Sequence, residues 1–195
     1  MNIAFFDFDG TITKKDSLFI FLKNLVGRRK LYLGMLQNLH YLLGYVFGFI
    51  DNTKAKEKII MHFLKDMRGE FLSKKCQDML PYLEEIIRQD ALSRIQWHKD
   101  HGDRVVIVSA TFSCYLNPLA KKLGVECIAT ELEIKNNVVT GKFTTPNCHG
   151  IEKVRRIKQL YSLDNYKEIF AYGDSKGDKE MLGIATQGFY RIFNI

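Results

Sequence analysis

The chain has 195 residues, enough for one domain or for one domain carrying a smaller insert. It is 46% hydrophobic and 26% charged with 3 Pro, which excludes a disordered or collagen-like chain and supports a packed core. The net charge of +7 comes from small scattered groups, such as Arg28-Arg29-Lys30 and Arg155-Arg156. No basic run is interleaved with aromatics, so no nucleic-acid partner is expected, while phosphorylated small molecules would be attracted.

Residues 2–8 (NIAFFDF) are a short apolar run ending in Asp and followed by Gly10-Thr11, the pattern of a buried strand entering a polar loop. From Ser17 to Trp97 the pattern is helical. Asp51-Asn52-Thr53 and Ser73 can start helices, and Gly69 and Pro81 mark boundaries or bends. Within this region Leu31–Ile50 carries no charge and is about long enough to span a bilayer. It is read as a helix or helix pair buried in a compact module, with Leu31, Leu39, Leu42 and Phe49 inside. A single span would tether the chain between two parts of one domain, so membrane contact is not the favoured reading.

Gly102 reads as a helix stop and Arg104–Ser109 as a second buried strand. A helix over Phe112–Leu123, a strand over Glu126–Thr130 and a hairpin turning at Asn136-Asn137 follow. Then come a helix over Ile151–Leu160, a strand over Glu168–Tyr172, a helix from Gly177 and a last strand over Gly188–Phe193. Alternating strands and helices with short connections predict an α/β fold: a Rossmann-like parallel sheet core with an inserted all-helical cap. The expected core is residues 1–14 and 101–195, the cap 15–100. Cys76, Cys114, Cys127 and Cys148 show no metal-ligand spacing and read as free thiols of a cytoplasmic protein. The opening MNIAFFDFDG does not read as a signal peptide.

Three apolar strands each end in useful chemistry: Asp7 and Asp9, Ser109 with Ala110-Thr111, and Gly173-Asp174-Ser175. In open α/β sheets ligands bind at the carboxyl ends of strands, so these groups would converge there. Asp7, Asp9, Asp174 and Asp178 at one edge repel one another unless a cation is shared, and Mg²⁺ suits a few carboxylates with a substrate phosphate.

DFDGT at 7–11, Ser109 after its strand, Lys153, and GDSKGD at 173–178 resemble the four motifs of the haloacid dehalogenase superfamily in their usual order. The helical insert is similar to the cap of its phosphoserine-phosphatase-like branch. The resemblance implies that Asp7 is the nucleophile and Asp9 the general acid and base. It implies Mg²⁺ held by Asp7, Asp174, the Asp9 carbonyl and Asp178. It assigns the phosphoryl oxygens to Ser109, Ala110, Lys153 and the amides near Gly10. Asp9, in place of the Thr of transport ATPases, points to a phosphatase acting on a small phosphorylated substrate. Asp16 stands where the branch places an acid that reads the substrate, and it can equally cap a helix. The cap lacks the Arg that phosphoserine phosphatases use for the substrate carboxylate, and Gly177 replaces their Asn, which puts phosphoserine itself in doubt. Two alternatives are a lipid-phosphate phosphatase at a membrane surface, suggested by Leu31–Ile50 behind Arg28-Arg29-Lys30, and a non-catalytic binding module.

Overall fold

The computed structural model describes residues 1–193. Its centre is a five-stranded parallel sheet in the order β3-β2-β1-β6-β7. The strands are β1 (Ile3–Phe6), β2 (Arg104–Phe112), β3 (Glu126–Thr130), β6 (Ile169–Gly173) and β7 (Gln187–Tyr190). β1 is central because IAFF is apolar on both faces and is buried throughout. Ala4 and Phe6 face one side, with Val105, Ile107 and Tyr172, while Ile3 and Phe5 face the other, with Val106, Val108 and Ala171. The chain runs outward from β1 to β2 and β3, then returns to β6 and β7 on the opposite side. The order therefore reverses beside β1, where open sheets form a crevice.

Seven helices stand between β1 and β2: α1 (Ser17–Val26), α2 (Arg28–Gln37), α3 (Leu39–Val46), α4 (Asn52–Leu64), α5 (Gly69–Gln77), α6 (Leu80–Ile86) and α7 (Gln89–Asp100). The outgoing and returning chains meet at an antiparallel bridge between Thr13 and Ile87, flanked by Lys14 N–H to Ile86 O and Arg88 N–H to Ile12 O. The expected cap of residues 15–100 includes α7, yet α7 lies against the sheet. His98 is fully buried there, between Asp103 (2.8 Å) and the Tyr172 hydroxyl (2.9 Å).

The uncharged stretch forms two helices, α2 and α3, broken at Asn38, whose side-chain amide donates to Gly34 O. Among the described residues no helix is long and apolar enough to cross a membrane. The expected burial is corrected: Leu31 is buried, but Leu42 is only half-buried, Leu39 is 43% exposed and Phe49 is 85% exposed. α3 has no buried residue at all. Hydrophobicity marks these residues as apolar without saying what would cover them.

After β2 come α8 (Ser113–Leu123), the hairpin β4 (Leu132–Lys135) and β5 (Val138–Phe143), α9 (Ile151–Leu160) and α10 (Lys179–Gly183). The hairpin turns through Asn136 and Asn137, both at positive φ, as a two-residue primed turn requires. β2 runs three residues further than expected, and its register with β3 shifts between Ser109 and Phe112. The last strand ends at Tyr190, three residues short, because Arg191 turns at φ +58°. The four cysteines are free, and the Cys76 and Cys114 sulfurs meet at 2.7 Å between α5 and α8.

Candidate active site

β1 ends at Phe6, and the chain then makes a tight turn over Phe8–Ile12. Asp7 is anchored at the top of the strand by its N–H to Tyr172 O (2.9 Å). The turn needs a glycine at position 10, where φ is +86°. A Cβ there would also sit 2.4 Å from Asp174 Oδ2, so Gly10 lets the first and last acidic loops close on each other. Thr11 Oγ1 donates to Asp174 Oδ1 at 3.4 Å.

Lys153 reaches in from the first turn of α9 and is itself 1% exposed. Its ammonium donates to Asp7 Oδ1 (2.5 Å) and Asp178 Oδ1 (2.6 Å). The other oxygen of Asp178 accepts from the backbone N–H groups of Asp174 (3.2 Å) and Ser175 (3.0 Å) and from the Ser175 hydroxyl (2.8 Å). Asp178 is thus a strut of the loop as well as an acid in the site.

These contacts explain the electrostatics. Burial pushes the Asp7 carboxyl up to about 7, against the pull of Lys153. Burial and the neighbouring Asp178 raise Asp174 too. Burial would raise Asp178, but Lys153 and Ser175 outweigh it and hold that carboxyl low. Burial would also lower Lys153, yet two carboxylates within hydrogen-bond reach keep it charged. Asp7, Asp174 and Asp178 can each bring an oxygen within 4.8 Å of the others.

Asp9 points the other way, toward α1. The N–H of Ser17 donates to its Oδ1 at 2.7 Å and the Ser17 hydroxyl to its Oδ2 at 3.0 Å. Ser17 in turn meets Thr111 Oγ1 (3.0 Å) and the Tyr115 hydroxyl (3.3 Å), and those two hydroxyls bond each other. Burial pushes Asp9 up to about 7, with Asp16 adding to the shift and the Ser17 bonds opposing it.

Ser109 is 1% exposed, and its hydroxyl accepts from the Thr111 N–H at 3.1 Å. Ser109, Ala110 and Thr111 all line the pocket. Ala110 presents its carbonyl to Lys56 Nζ (2.5 Å) and to Thr130 Oγ1 (2.9 Å). Asp16 stands at the start of α1. Its carboxylate caps α1 by accepting from the Phe19 N–H (2.8 Å), and it also lines the pocket where cap meets core. The pocket holds about 220 Å³. It brings together Asp7, Asp9, Asp16, Ser109, Ala110, Lys153 and Asp178; Gly10 and Asp174 do not line it but line a separate cleft with Thr11 and Arg191.

Sequence reasoning missed Lys56. It stands on α4 between buried Ala55 and Ile59, reaches Ala110 O and Asn147 Oδ1 (3.1 Å), and lines the pocket. Burial lowers it to about 8. Lys56 lies between Lys54 and Lys58 on the same helix, so nothing local in the sequence singled it out. Ser17 and Tyr115 were missed because hydroxyls carry no spacing signature. His149 lines the pocket as well, with burial lowering its basicity.

Residues 4–183 match the sequence model of the haloacid dehalogenase-like hydrolases. Protein CicA of Caulobacter vibrioides is 34% identical over 194 residues, covering 96% of this chain and 85% of that one. "Probable phosphatase Rv3661" of Mycobacterium tuberculosis is 27% identical over 191 residues, covering 92% of this chain and 64% of the other. In fold the chain is similar to the phospho-aspartyl intermediate analogue of a phosphoserine phosphatase, with a TM-score of 0.68 at 19% identity over 97% of this chain and 84% of that one.

Proposed function

Because the chain belongs to the haloacid dehalogenase-like hydrolases and is a phosphatase, we propose that it cleaves a small phosphomonoester with Mg²⁺ through an aspartyl phosphate on Asp7. The observation that carries the reading is Lys153, buried and bonded at once to Asp7 and Asp178, beside an Asp9 held by a separate set of donors. One acid is oriented as a nucleophile and the other is tuned as a proton carrier.

The donor set fits the ion. Three hard carboxylates lie within reach of one another, and the glycine cradle at position 10 draws Asp174 against the turn that carries Asp7. Asp7, Asp174 and Asp178 would hold Mg²⁺, with the Asp9 carbonyl as a further ligand. When bound, it would neutralise charge on the transferring phosphoryl group.

The chain's own groups do the rest. A carboxylate oxygen of Asp7 attacks phosphorus and the bond to the alcohol oxygen breaks. Asp9, protonated near neutrality, gives its proton to that oxygen. Asp9 then takes a proton from water as the water attacks phosphorus, and the bond to Asp7 breaks to release phosphate. Lys153, with the Ser109 hydroxyl and the amides near Gly10, balances charge on the phosphoryl oxygens.

The test is to stop the enzyme with acid during turnover of a phosphorus-labelled aryl phosphate. Label that stays on the protein and is removed by hydroxylamine is expected, and Asp7→Asn should abolish it. Full labelling of Asp7→Asn would overturn the reading.

A further inference from the structure

Beside the candidate catalytic pocket lies a second, larger cavity of about 520 Å³ beneath the cap. The two share Asp16, Leu18, Lys56, Ala110 and His149, so they adjoin. Beyond that junction the walls are Leu22, Met35, Leu42, Ile59 and Ile60, from α1 to α4. Of the polar groups at the near end, Lys56 is engaged with Ala110 and Asn147, and Asn147 with Asn52 (2.5 Å), while Asp16 and His149 face the junction itself. A polar leaving group extending past that junction, among Leu22, Met35, Ile59 and Ile60, would lose water for few partners. An open apolar cavity of this size is also not ordinary core, which packs without such voids.

The outer side of the same helices is equally unusual. Leu33, Leu36, Leu43, Val46, Phe47 and Phe49 are all more than 45% exposed. So many exposed large apolar side chains within residues 33–49 mark an interaction surface. Its charge says which one. Between Asp16 and Asp51 there is no acidic residue, while Lys23, Arg28, Arg29 and Lys30 are present. The last three are exposed, and among the described residues none forms an ion pair. Apolar side chains beside unpaired cations suit an anionic lipid surface, where the former enter the acyl boundary and the latter meet headgroup phosphates. α3 joins the two features: Leu42 and Tyr45 line the cavity, and Leu43 and Val46 face outward.

We propose that the substrate is an amphiphilic phosphomonoester whose apolar chain lies in the cap cavity, taken from an anionic bilayer surface on which α2 and α3 rest. This rests on the phosphatase reading above and narrows its leaving group. The chemistry is the same hydrolysis, with a long-chain alcohol released.

The test compares dodecyl phosphate, below its micellar concentration, with glycerol phosphate and nitrophenyl phosphate. kcat/KM for dodecyl phosphate should exceed that for glycerol phosphate by at least about tenfold, since a few buried methylenes suffice for that. Leu42→Gln should collapse the ratio of dodecyl to nitrophenyl phosphate turnover. The protein should sediment with vesicles of phosphatidylglycerol and phosphatidylcholine and not with phosphatidylcholine alone. Phe47→Ser with Phe49→Ser should remove that binding and leave nitrophenyl phosphate turnover intact. Equal or better turnover of glycerol phosphate, or vesicle binding unchanged in the double variant, would overturn the inference while the phosphatase reading stood. No turnover of any ester would overturn the phosphatase reading instead. Calorimetry with dodecyl phosphonate would then decide the cavity's role: binding supports it, and no binding overturns it.

Discussion

Ser17→Ala isolates the role of Asp9. The substitution removes the hydroxyl that donates to Asp9 Oδ2 at 3.0 Å and leaves the backbone N–H to Oδ1 at 2.7 Å in place. A hydrogen bond to a charged group contributes about 1.5–3 kcal/mol, which is roughly one to two pKa units for the acid that receives it. Burial already pushes Asp9 up to about 7, and the Ser17 bonds oppose that push, so losing one raises the carboxyl further. As the general acid of the first step, Asp9 must be protonated. kcat/KM should therefore fall as pH rises through its pKa, and the alkaline limb in Ser17→Ala should move up by about one to two units. The vacated contact also leaves Thr111 and Tyr115 short of a partner, so stability should fall by about 1–3 kcal/mol. The assay is a pH profile with nitrophenyl phosphate at fixed Mg²⁺, with urea unfolding measured in parallel. An alkaline limb that stays in place in a destabilised variant would refute the assignment of Asp9, because a merely structural Ser17 changes stability alone.

Other outcomes follow from the same contacts. Excess chelator should abolish turnover and added Mg²⁺ restore it, checked by phosphate release; full activity in chelator would reject the three-acid site. Lys56→Met should raise KM for an aryl phosphate about tenfold or more and change kcat less, because Lys56 faces the pocket without touching Asp7. For the metal-free protein the sign is set by burial. Asp7 is raised from 3.8 to about 7, so its proton stabilises the fold fully below the unfolded value, and that contribution is lost as pH rises through about 7. The difference of about 3 units corresponds to roughly 4 kcal/mol. Thermal melts in chelator should therefore show Asp7→Asn gaining on the parent chain between about pH 4 and pH 7. Parallel curves would deny that burial strains this carboxylate.

The parts of the site carried by consecutive residues are legible in the sequence itself. Asp7, Asp9, Asp174 and Asp178 each follow a strand whose apolar run ends abruptly, and parallel topology brings such ends together. Lys153 is legible only through its family resemblance, since a helix lysine has no local mark of burial. Contacts across the cap are not legible. Lys56 depends on the angle at which α4 crosses the end of β2, and the Ser17–Thr111–Tyr115 set joins residues 94 to 98 positions apart. The placement of α7 has the same cause: helical periodicity reveals an apolar stripe, not whether a cap or a sheet receives it.

The largest misreading has a physical meaning of its own. A run such as Leu31–Ile50 can be apolar because it is buried, because it spans a bilayer, or because it lies on one. The break at Asn38 removes the second option, since α2 has ten residues and α3 has eight. The exposure of Leu43 and Val46 removes the first for α3. What is left is a surface that water solvates poorly, placed over a cavity with the same preference, which shares Asp16 and Lys56 with the pocket of Asp7 and Asp9. The double role of Asp16 follows from that position. As the cap of α1 it fixes the first helix of the insert, and as a pocket wall it stands between the cavity of the acids and the apolar cavity. One residue thus caps the first helix of the insert and lines both cavities, which neither the cap motif nor the spacing from Asp9 could state alone.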